Sequence, residues 1–362
     1  MLWQSPKSGV APMRVEDAVA LRERDPQGML DLISRFPRMC EEAWGLIATA
    51  PIPPMRPDAV VALGMGGSGI GGDLLRAYLF DEARLPVAAV KEYRLPAFVG
   101  PSTLVFACSY SGNTEETLSA YEEAAARGAT CVVVASGGDL LERARRRGHP
   151  AVIIPAGIPP RAALPYLVLP VLALLARNGV LRPPDDELAE AVSVLRQIVA
   201  AESPEPPHGE AWRLATAVRG RIPVIYSATP FLEPVAQRWK DQINENAKAF
   251  AVWNTFPELN HNETVGWGLD EDLARSLHVI ILRDSREPDR LAQRVSITRE
   301  LAFARAAGVD EVRASGKGKL ARLLSVILVG DFVSWYLAVL RGVDPTPVAV
   351  IDELKRRLAE SK

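Results

Sequence analysis

Short runs of apolar, largely β-branched residues alternate with amphipathic stretches through most of this chain, and that alternation restricts the folds it can adopt. In the first half, five such runs predict strands: Ala59–Leu63, Val87–Val90, Thr103–Cys108, Cys131–Ala135 and Ala151–Ile154. Three intervening stretches predict helices: Gly72–Leu79, Glu115–Ala126 and Leu140–Arg147. Repeated strand–helix–strand units predict an α/β fold, with a parallel sheet flanked by helices.

The segment 201–210, AESPEPPHGE, interrupts this alternation with proline and acidic residues, and we place a domain boundary there. Beyond it the alternation resumes with two strands and two helices: Val224–Ser227, Val279–Leu282, Glu233–Asn246 and Asp289–Ala306. The sequence thus predicts two tandem α/β domains, at 1–200 and 201–362, without visible repetition between them. A chain of 362 residues is long enough to bury two such cores.

Two later stretches, Ala162–Ala176 and Leu323–Leu340, are apolar enough to raise the question of membrane insertion. The first is too short to span a bilayer and is interrupted by prolines, and the second contains Asp331. Both are therefore predicted to be buried helices of a large core or of a subunit interface. A final helix is predicted with Thr346 as its N-cap and Pro347 at its first position.

Composition limits the partners that the protein is expected to have. The formal net charge is -2, with 48% hydrophobic and 24% charged residues, so we expect neither nucleic acid nor a membrane surface as a partner. The three cysteines lack a CxxC spacing, which fits a reducing compartment. The first residues contain no apolar segment of the signal-peptide kind, so a cytoplasmic location is expected. No His, Cys and carboxylate cluster has metal-ligand spacing, and no metal or other cofactor is expected.

A glycine-rich loop, Gly64–Asp73, directly follows the first predicted strand. It contains the pattern GxGxxG, which is typical of dinucleotide-binding folds, but the acidic residue that such folds place about 20 positions later has no clear match. Glycines also let backbone amides approach an anion closely at a helix N-terminus. We favour anion binding, with Gly67 and Ser68 as contacts, over a dinucleotide site or a purely structural turn.

A second loop follows the strand that ends at Cys108, and it carries three hydroxyls: Ser109, Ser111 and Thr114. Together with Gly112 they can bind a phosphate through neutral donors and the dipole of the next helix, without lysine or metal. The loop lacks the Gly-Lys-Ser/Thr of a Walker A motif, which argues against nucleotide hydrolysis. Asn113 and Thr114 are also expected to cap the helix, yet capping alone does not require three hydroxyls.

This strand–SxSGxT–helix arrangement resembles the sugar isomerase (SIS) domain, a flavodoxin-like fold that binds phosphosugars. Further along, three segments look like those of the bifunctional phosphoglucose/phosphomannose isomerase family: NENAK at 244–248, ELNHN at 258–262 and GVDPTP at 342–347. The resemblance runs from the first glycine loop to the terminal helix. It implies two tandem SIS-type flavodoxin-like domains. It also implies an enzyme that interconverts glucose 6-phosphate and/or mannose 6-phosphate with fructose 6-phosphate through a cis-enediol.

The resemblance further implies roles for individual residues. Glu245 of NENAK matches the family's base, which moves a proton between C2 and C1, and Arg161 matches the arginine that faces the enediolate charge. His261 matches the ring-opening histidine, and Lys355 matches a lysine that assists ring opening. The family resemblance also implies a cytoplasmic homodimer of glycolysis and gluconeogenesis, whose active site takes its histidine from the neighbouring subunit.

Two alternatives stay open. The chain could be an SIS-type isomerase of another sugar phosphate, such as a seven-carbon sugar phosphate, or an enzyme for one ketohexose phosphate alone. It could also be a phosphosugar-binding sensor without catalysis, although Glu245, Arg161 and His261 together speak against that. Sensors in transcriptional regulators would add a helix-turn-helix and a basic face, and neither is evident in the first 55 residues.

Overall fold

The computed structural model describes residues 18–46, 55–202, 209–268 and 270–360 of the chain. Three helices precede the first sheet: α1 Ala18–Arg22, α2 Met29–Ser34 and α3 Phe36–Gly45. That sheet contains five parallel strands: β1 Ala59–Leu63, β2 Val87–Val90, β3 Thr103–Cys108, β4 Thr130–Ala135 and β5 Ala151–Ile153. Their order, β2-β1-β3-β4-β5, is that of flavodoxin-like folds, which confirms the predicted fold class for this half.

Five helices follow the strands of this half: α4 Gly66–Leu79, α5 Glu115–Ala126, α6 Gly138–Arg147, α7 Leu164–Arg177 and α8 Asp185–Ala201. Successive residues of β1 point into two different hydrophobic clusters, one containing Val60 and Ala62 and the other containing Val61 and Leu63. Both faces of the sheet are therefore covered, which is why its strands read as continuous apolar runs.

Helix α4 begins at Gly66, six positions before the predicted start at Gly72. The glycines of this helix allow it to lie directly on the sheet. A Cβ on Gly72 would be 3.1 Å from the Cβ atoms of Ala62 and Ala89, closer than side chains ordinarily pack. Close packing therefore overrides the low helix propensity of glycine, on which the predicted boundary depended.

The second half begins with α9 Glu210–Val218 and contains four parallel strands in the order β7-β6-β8-β9: β6 Ile222–Ser227, β7 Val252–Thr255, β8 Leu277–Arg283 and β9 Gly308–Arg313. Its other helices are α10 Glu233–Ala247, α11 Glu263–Gly266, α12 Glu271–Arg275, α13 Asp289–Leu301, α14 Lys319–Leu340 and α15 Ala349–Glu360. Along the chain, the first sheet comes before the segment 201–210 and the second sheet comes after it. Residues 203–208 lie outside the described part, so the boundary itself stays a prediction.

The sequence patterns missed both edge strands of the second sheet. All four residues of β7 and most of β9 are partly or fully exposed, so neither strand shows an apolar run. Helix α13 ends at Leu301, and a 3₁₀ turn at Phe303–Arg305 completes the segment that was predicted as one helix to Ala306. Exposed residues weaken the hydrophobic pattern of an element, which is why the pattern missed β7 and β9.

The predicted start of the last helix is wrong. Helix α15 begins at Ala349, with the N–H of Asp352 donating to the carbonyl of Val348 at 3.2 Å. Thr346 is therefore not its N-cap, and Pro347 is not its first residue. The carbonyl of Thr346 instead accepts a hydrogen bond from Arg161 at 2.7 Å, which holds this segment outside the helix.

Both apolar stretches are core helices, as predicted. In the described part of the chain, α14 is the one helix with the length and hydropathy to cross a bilayer, and all of that apolar window is buried within this protein. It packs against α8 of the first half and against α9 and α10 of the second. Because α14 is covered by its own chain, it offers no surface to a second subunit; α7 is also almost entirely buried.

One buried ion pair crosses the contact between α10 and α14. Nη2 of Arg238 lies 2.8 Å from Oδ2 of Asp331, and the two side chains are 3% and 4% exposed. Gln242, one turn further along α10, donates to Oδ1 of the same carboxylate at 2.8 Å. Arg238 also donates to the backbone carbonyl of Arg161 at 3.0 Å, and so links this core to the first half of the chain.

Removing either partner of this pair leaves a buried charge unpaired. Arg238→Met and Asp331→Leu should therefore each lower the free energy of unfolding by about 3–5 kcal/mol. The double variant should lose clearly less than the sum of the two, because no lone charge remains. Urea unfolding measures all three variants, and Arg356→Met, at an exposed pair on α15, is a control that should change little. Strictly additive losses would contradict a coupled pair.

Candidate active site

Two loops lie side by side at the carboxyl ends of β1 and β3, because these strands are neighbours in the sheet. The strand order reverses at this point, with β2 on one side of β1 and β3 to β5 on the other. Open parallel sheets bind ligands in the crevice at such a switch point. The first loop leads into α4 and the second into α5, so two helix N-termini meet at this crevice, and helix N-termini favour anions.

The first loop packs against the turn that carries Arg161. A Cβ on Gly67 would lie 3.1 Å from the carbonyl oxygen of Pro160 and 3.3 Å from Cα of Arg161, so glycine is what permits this approach. Ser68 is buried, and its Oγ accepts a hydrogen bond from the backbone N–H of Tyr110 at 3.2 Å. The two predicted contacts thus join the first loop to the second loop and to Arg161.

The three hydroxyls of the second loop differ in exposure. Ser109 is buried, with its Oγ 2.9 Å from Oγ1 of Thr114 and accepting from the N–H of Gly112 at 3.1 Å. Ser111 is exposed, and its Oγ accepts from the N–H of Asn113 at 3.2 Å. Ser109 therefore shapes the loop and orients Thr114, whereas Ser111 and Thr114 are accessible to an anion.

The expected capping of α5 is correct only for the position of Thr114. Thr114 is its N-cap residue but makes no side-chain capping hydrogen bond. The side chain of Asn113 instead accepts from the N–H of Asp139 at 3.0 Å, in the first turn of α6. A third loop, missed in the sequence, explains this contact: Gly112 packs so closely on Gly137 that any Cβ would overlap its carbonyl. The Ser-Gly-Gly that follows β4 was the available signal.

Arg161 lies in a 3₁₀ turn after β5 and is almost fully buried. Its Nε donates to Oδ1 of Asn246 at 2.6 Å, and its Nη2 donates to the carbonyls of Pro345 and Thr346 at 2.9 and 2.7 Å. Nη1 is directed at Glu245, whose Oε2 is 3.5 Å away. The guanidinium is thus fixed on three sides by neutral acceptors, and its fourth contact is the predicted base.

Glu245 lies near the end of α10, with its side chain 28% exposed. Burial raises the pKa of this carboxyl above its ordinary value; the Arg161 guanidinium opposes that rise, and the negative charge of Asp241 adds to it. The carboxylate is therefore a stronger base than a solvated glutamate while still reachable from the crevice. The structure brings together Glu245 and Arg161, two residues 84 positions apart in the sequence.

Lys355 and His261 are placed differently with respect to Glu245. Lys355 lies on the exposed helix α15, yet its positive charge lowers the pKa of Glu245, so the two side chains share one electrostatic environment. His261 is exposed on a 3₁₀ turn, Glu258–His261, that follows β7 and is anchored by the buried Leu259. Among the described residues, no hydrogen bond or ion pair joins its imidazole to Glu245 or Arg161.

The sequence patterns missed one further cation of this site, Lys248, the last residue of NENAK. Its Nζ donates to the carbonyls of Asp344 and Pro345 at 2.6 and 2.9 Å, and the Pro345 carbonyl also accepts from Arg161. Burial and the nearby Arg161 charge lower the pKa of Lys248 to about 8. Only its place in a family-like segment signalled a role in the sequence.

Together these groups can bind an anion and transfer a proton. The crevice offers backbone N–H groups and hydroxyls at one end, and a basic carboxylate beside a fixed guanidinium at the other. Across residues 18–46, 55–202, 209–268 and 270–360, no group of three or more His, Cys, Asp and Glu side chains could hold a metal ion. The groups suited to binding an anion and the basic carboxylate come from different segments of the chain.

The chain is similar to known proteins in both sequence and fold. Residues 208–358 match the family described as bacterial phospho-glucose isomerase C-terminal SIS domain. Solved structures give the same fold over both halves. A glucose-6-phosphate isomerase like protein from Thermus thermophilus has a TM-score of 0.61 at 22% identity, covering 94% of this chain and 100% of that one. The C-terminal domain of glucosamine-fructose-6-phosphate aminotransferase from Francisella tularensis has a TM-score of 0.65 at 15% identity, covering 88% and 98%.

Several relatives of higher identity over most of the chain are named bifunctional phosphoglucose/phosphomannose isomerase, and one, matching 57% of the chain at 33% identity, is named D-glucosamine-6-phosphate 4-epimerase, from Sulfolobus acidocaldarius. The bifunctional phosphoglucose/phosphomannose isomerase of Caldicellulosiruptor bescii is 44% identical over 307 residues, which is 84% of this chain and 91% of the relative. The protein of the same name from Aquifex aeolicus is 39% identical over 83% of this chain and 90% of the relative. Matches of this identity and length confirm the resemblance seen in the motifs. The chain belongs to the bifunctional phosphoglucose/phosphomannose isomerase family.

Proposed function

We propose that this protein interconverts glucose 6-phosphate and mannose 6-phosphate with fructose 6-phosphate, with Glu245 as the base. The observation that carries the proposal is the pairing of Glu245, a carboxylate made more basic by burial, with the fixed guanidinium of Arg161 beside a phosphate-type crevice. The family's relatives are named for this reaction. A sensor would have no need of a basic carboxylate next to a buried cation.

The substrate phosphate binds at the two loops. Ser111 and Thr114 donate their hydroxyls, and at the start of α4 the backbone N–H of Gly67 and the hydroxyl proton of Ser68 add to them. The backbone N–H of Ser68 itself donates to the carbonyl of Met65 at 3.0 Å. The dipoles of α4 and α5 favour the negative charge, so neither lysine nor metal is required for binding. Ser109 holds Thr114 in place through their 2.9 Å contact.

Isomerisation then transfers one proton between neighbouring carbons. Glu245 takes the proton from C2 of the open-chain aldose while O1 gains a proton, which gives a cis-enediol. The carboxylic acid returns its proton to C1 as O2 loses its own, and the ketose results. Negative charge develops on the two oxygens during these steps, and Nη1 of Arg161 is the donor placed to stabilise it.

Ring opening precedes this step, because sugar phosphates are mostly closed rings. Lys355 and His261 supply the proton transfers between the ring oxygen and the anomeric hydroxyl. The exposed imidazole of His261 has no partner at its own site among the described residues, which supports a homodimer in which the histidine enters the neighbouring site. Helix α15 supplies exposed apolar side chains for such an interface: Val350, Ile351, Leu354 and Leu358.

We further propose a cytoplasmic enzyme of glycolysis and gluconeogenesis. Three cysteines, Cys40, Cys108 and Cys131, are free thiols buried in the fold. Burial raises the pKa of each thiol, which keeps it protonated and unreactive. Free, buried cysteines are what a protein of a reducing compartment carries.

Glu245→Gln tests the assignment of the base. Turnover of glucose 6-phosphate and mannose 6-phosphate, each read as fructose 6-phosphate in a coupled assay, should fall about 10²- to 10⁴-fold. Because burial raises the pKa of Glu245 in the fold, its ionisation at neutral pH costs stability, so the melting temperature of the variant should not fall.

Glu233→Gln, at the other end of α10, is the matched control and should stay active. Near-normal kcat in Glu245→Gln would place the base elsewhere. Conversion of only one aldose by the wild-type protein would favour a more specialised isomerase. Tight sugar-phosphate binding without any turnover would favour the sensor.

The pH dependence of kcat/KM should respond to Asp241, whose negative charge raises the pKa of Glu245. Asp241→Asn should lower that pKa, so the base is ionised at lower pH and the acid limb of the profile shifts to lower pH. Lys240→Gln releases Asp241 from a 3.0 Å ion pair and should not move the limb down. An acid limb that is unchanged in Asp241→Asn would mean that another group sets it.

A mixing experiment tests the shared site. Chains carrying only Glu245→Ala are exchanged with chains carrying only His261→Ala. In a hybrid two-fold dimer, one site then contains both lesions and the other contains none. Random exchange makes about half of the dimers hybrids, so roughly a quarter of wild-type activity should return.

Each parent must be nearly inactive, and turnover of His261→Ala through spontaneous ring opening is subtracted. If both residues of a site come from the same chain, every site keeps one lesion and mixing restores nothing. Verified subunit exchange without recovery of activity would reject the shared site.

A further inference from the structure

Lys248 ends helix α10 in an unusual backbone conformation. Its φ is +51°, and it is the one non-glycine residue with positive φ in the described ranges. Glycine is the residue that normally occupies such a C-terminal position, because any side chain is disfavoured there. A lysine at this position indicates that its side chain makes contacts that offset the backbone strain.

The ammonium of Lys248 donates all three of its N–H groups to backbone carbonyls. The acceptors are Asn246 at 3.2 Å, Asp344 at 2.6 Å and Pro345 at 2.9 Å. No carboxylate among the described residues lies within ion-pair distance of Nζ. Lys248 is therefore not half of a salt bridge, and its geometry serves to hold the backbone at 344 and 345.

Arg161 binds the same stretch of backbone from the other side of the site. Its Nη2 donates to the carbonyls of Pro345 and Thr346, so Pro345 accepts from both cations. We call residues 344–346 the clamped segment. Arg161 comes from the first half of the chain and Lys248 from the second, and both also contribute to the electrostatic environment of Glu245.

The clamped segment is what attaches α15 to the rest of the protein. No described residue of α15 is buried, and the ion pairs of its side chains join Glu353, Arg356, Arg357 and Glu360 to one another. Packing therefore does little to fix this helix within the protomer. Within one protomer, its position therefore depends largely on the backbone that precedes it, which Lys248 and Arg161 hold, while the proposed dimer interface would add contacts from the partner.

We propose that Lys248 is a positioning residue: by clamping 344–346 it holds α15, and with it Lys355, within electrostatic reach of Glu245. Lys248 itself has no free N–H donor for substrate, so it acts through the helix. The proposal rests on the ring-opening role proposed for Lys355. It assigns to the last residue of NENAK a task separate from that of the glutamate in the same motif.

Charges around Lys248 make the clamp sensitive to pH. Burial and Arg161 lower the pKa of Lys248 to about 8, while Asp344 on the clamped segment and Glu245 on α10 oppose that change. Deprotonation removes one of the three N–H donors. The clamp should therefore weaken as the pH rises through about 8.

Hydrogen exchange tests the clamp directly, without reference to activity. Lys248→Met keeps the aliphatic stem but removes every donor. Amides of residues 344–360 should then exchange about tenfold faster or more, because hydrogen bonds from a charged donor are stronger than neutral ones. Amides of α14 should keep their protection, and Lys240→Met on the same helix should leave 344–360 unchanged. Unchanged exchange in Lys248→Met would overturn the proposal.

Kinetics on ring-closed glucose 6-phosphate at neutral pH test the route through Lys355. Lys248→Met and Lys355→Met should each lower kcat/KM, and the double variant should lose little more than the worse single variant. Independent, multiplying losses would show that Lys248 acts elsewhere and would overturn the proposal. If Lys355→Met is fully active, the role proposed for Lys355 falls, whereas faster exchange in 344–360 still supports the clamp.

Discussion

The buried carboxylate of Asp331 is the constraint on which the geometry of the site depends. It accepts hydrogen bonds from Arg238 and Gln242 of α10, and Arg238 also donates a hydrogen bond to the backbone carbonyl of Arg161. One side chain of α14 therefore fixes both the helix that carries the base and the turn that carries the guanidinium. Burying a charge in a 22-residue helix that is otherwise largely apolar costs free energy. The hydrogen bonds that connect Asp331 through Arg238 to Arg161 offset part of that cost and join α14, α10 and the Arg161 turn.

In NENAK, Asn246 has a structural role that leaves its neighbour Glu245 available as a base. Asn246 accepts from Nε of Arg161 at 2.6 Å and donates to Ser334 on α14 at 2.9 Å. Arg161 is therefore held by a neutral amide, and the carboxylate of Glu245 stays 3.5 Å from it. A tighter pair with Glu245 would lower the pKa of that carboxyl and weaken it as a base. Holding the cation with asparagine leaves the glutamate basic and accessible.

The sequence predicted the first sheet well because its strands are runs of largely apolar residues, both in the buried central strands β1 and β3 and in the partly exposed edge strand β2. Strands β1, β2 and β3 have the predicted bounds, since apolar runs of strand length admit few other structures. Edge strands β7 and β9 lack an apolar run. Thr346 was predicted as a helix N-cap because a threonine followed by proline is a common start of a helix. The contact that holds Thr346 outside the helix comes from Arg161, 185 positions away, and no local pattern contains it.

Long-range contacts of this kind also determine what Arg161 can do chemically. Nε and Nη2 are occupied by Asn246 and by the clamped segment, so the plane of the guanidinium is set before any substrate arrives. Only Nη1 points toward Glu245, where charge develops on the enediolate in the proposed reaction. A donor that is already fixed in a buried site stabilises that charge without reorganising. The acceptors that restrain Arg161 are thus as much a part of its proposed electrostatic role as its own charge.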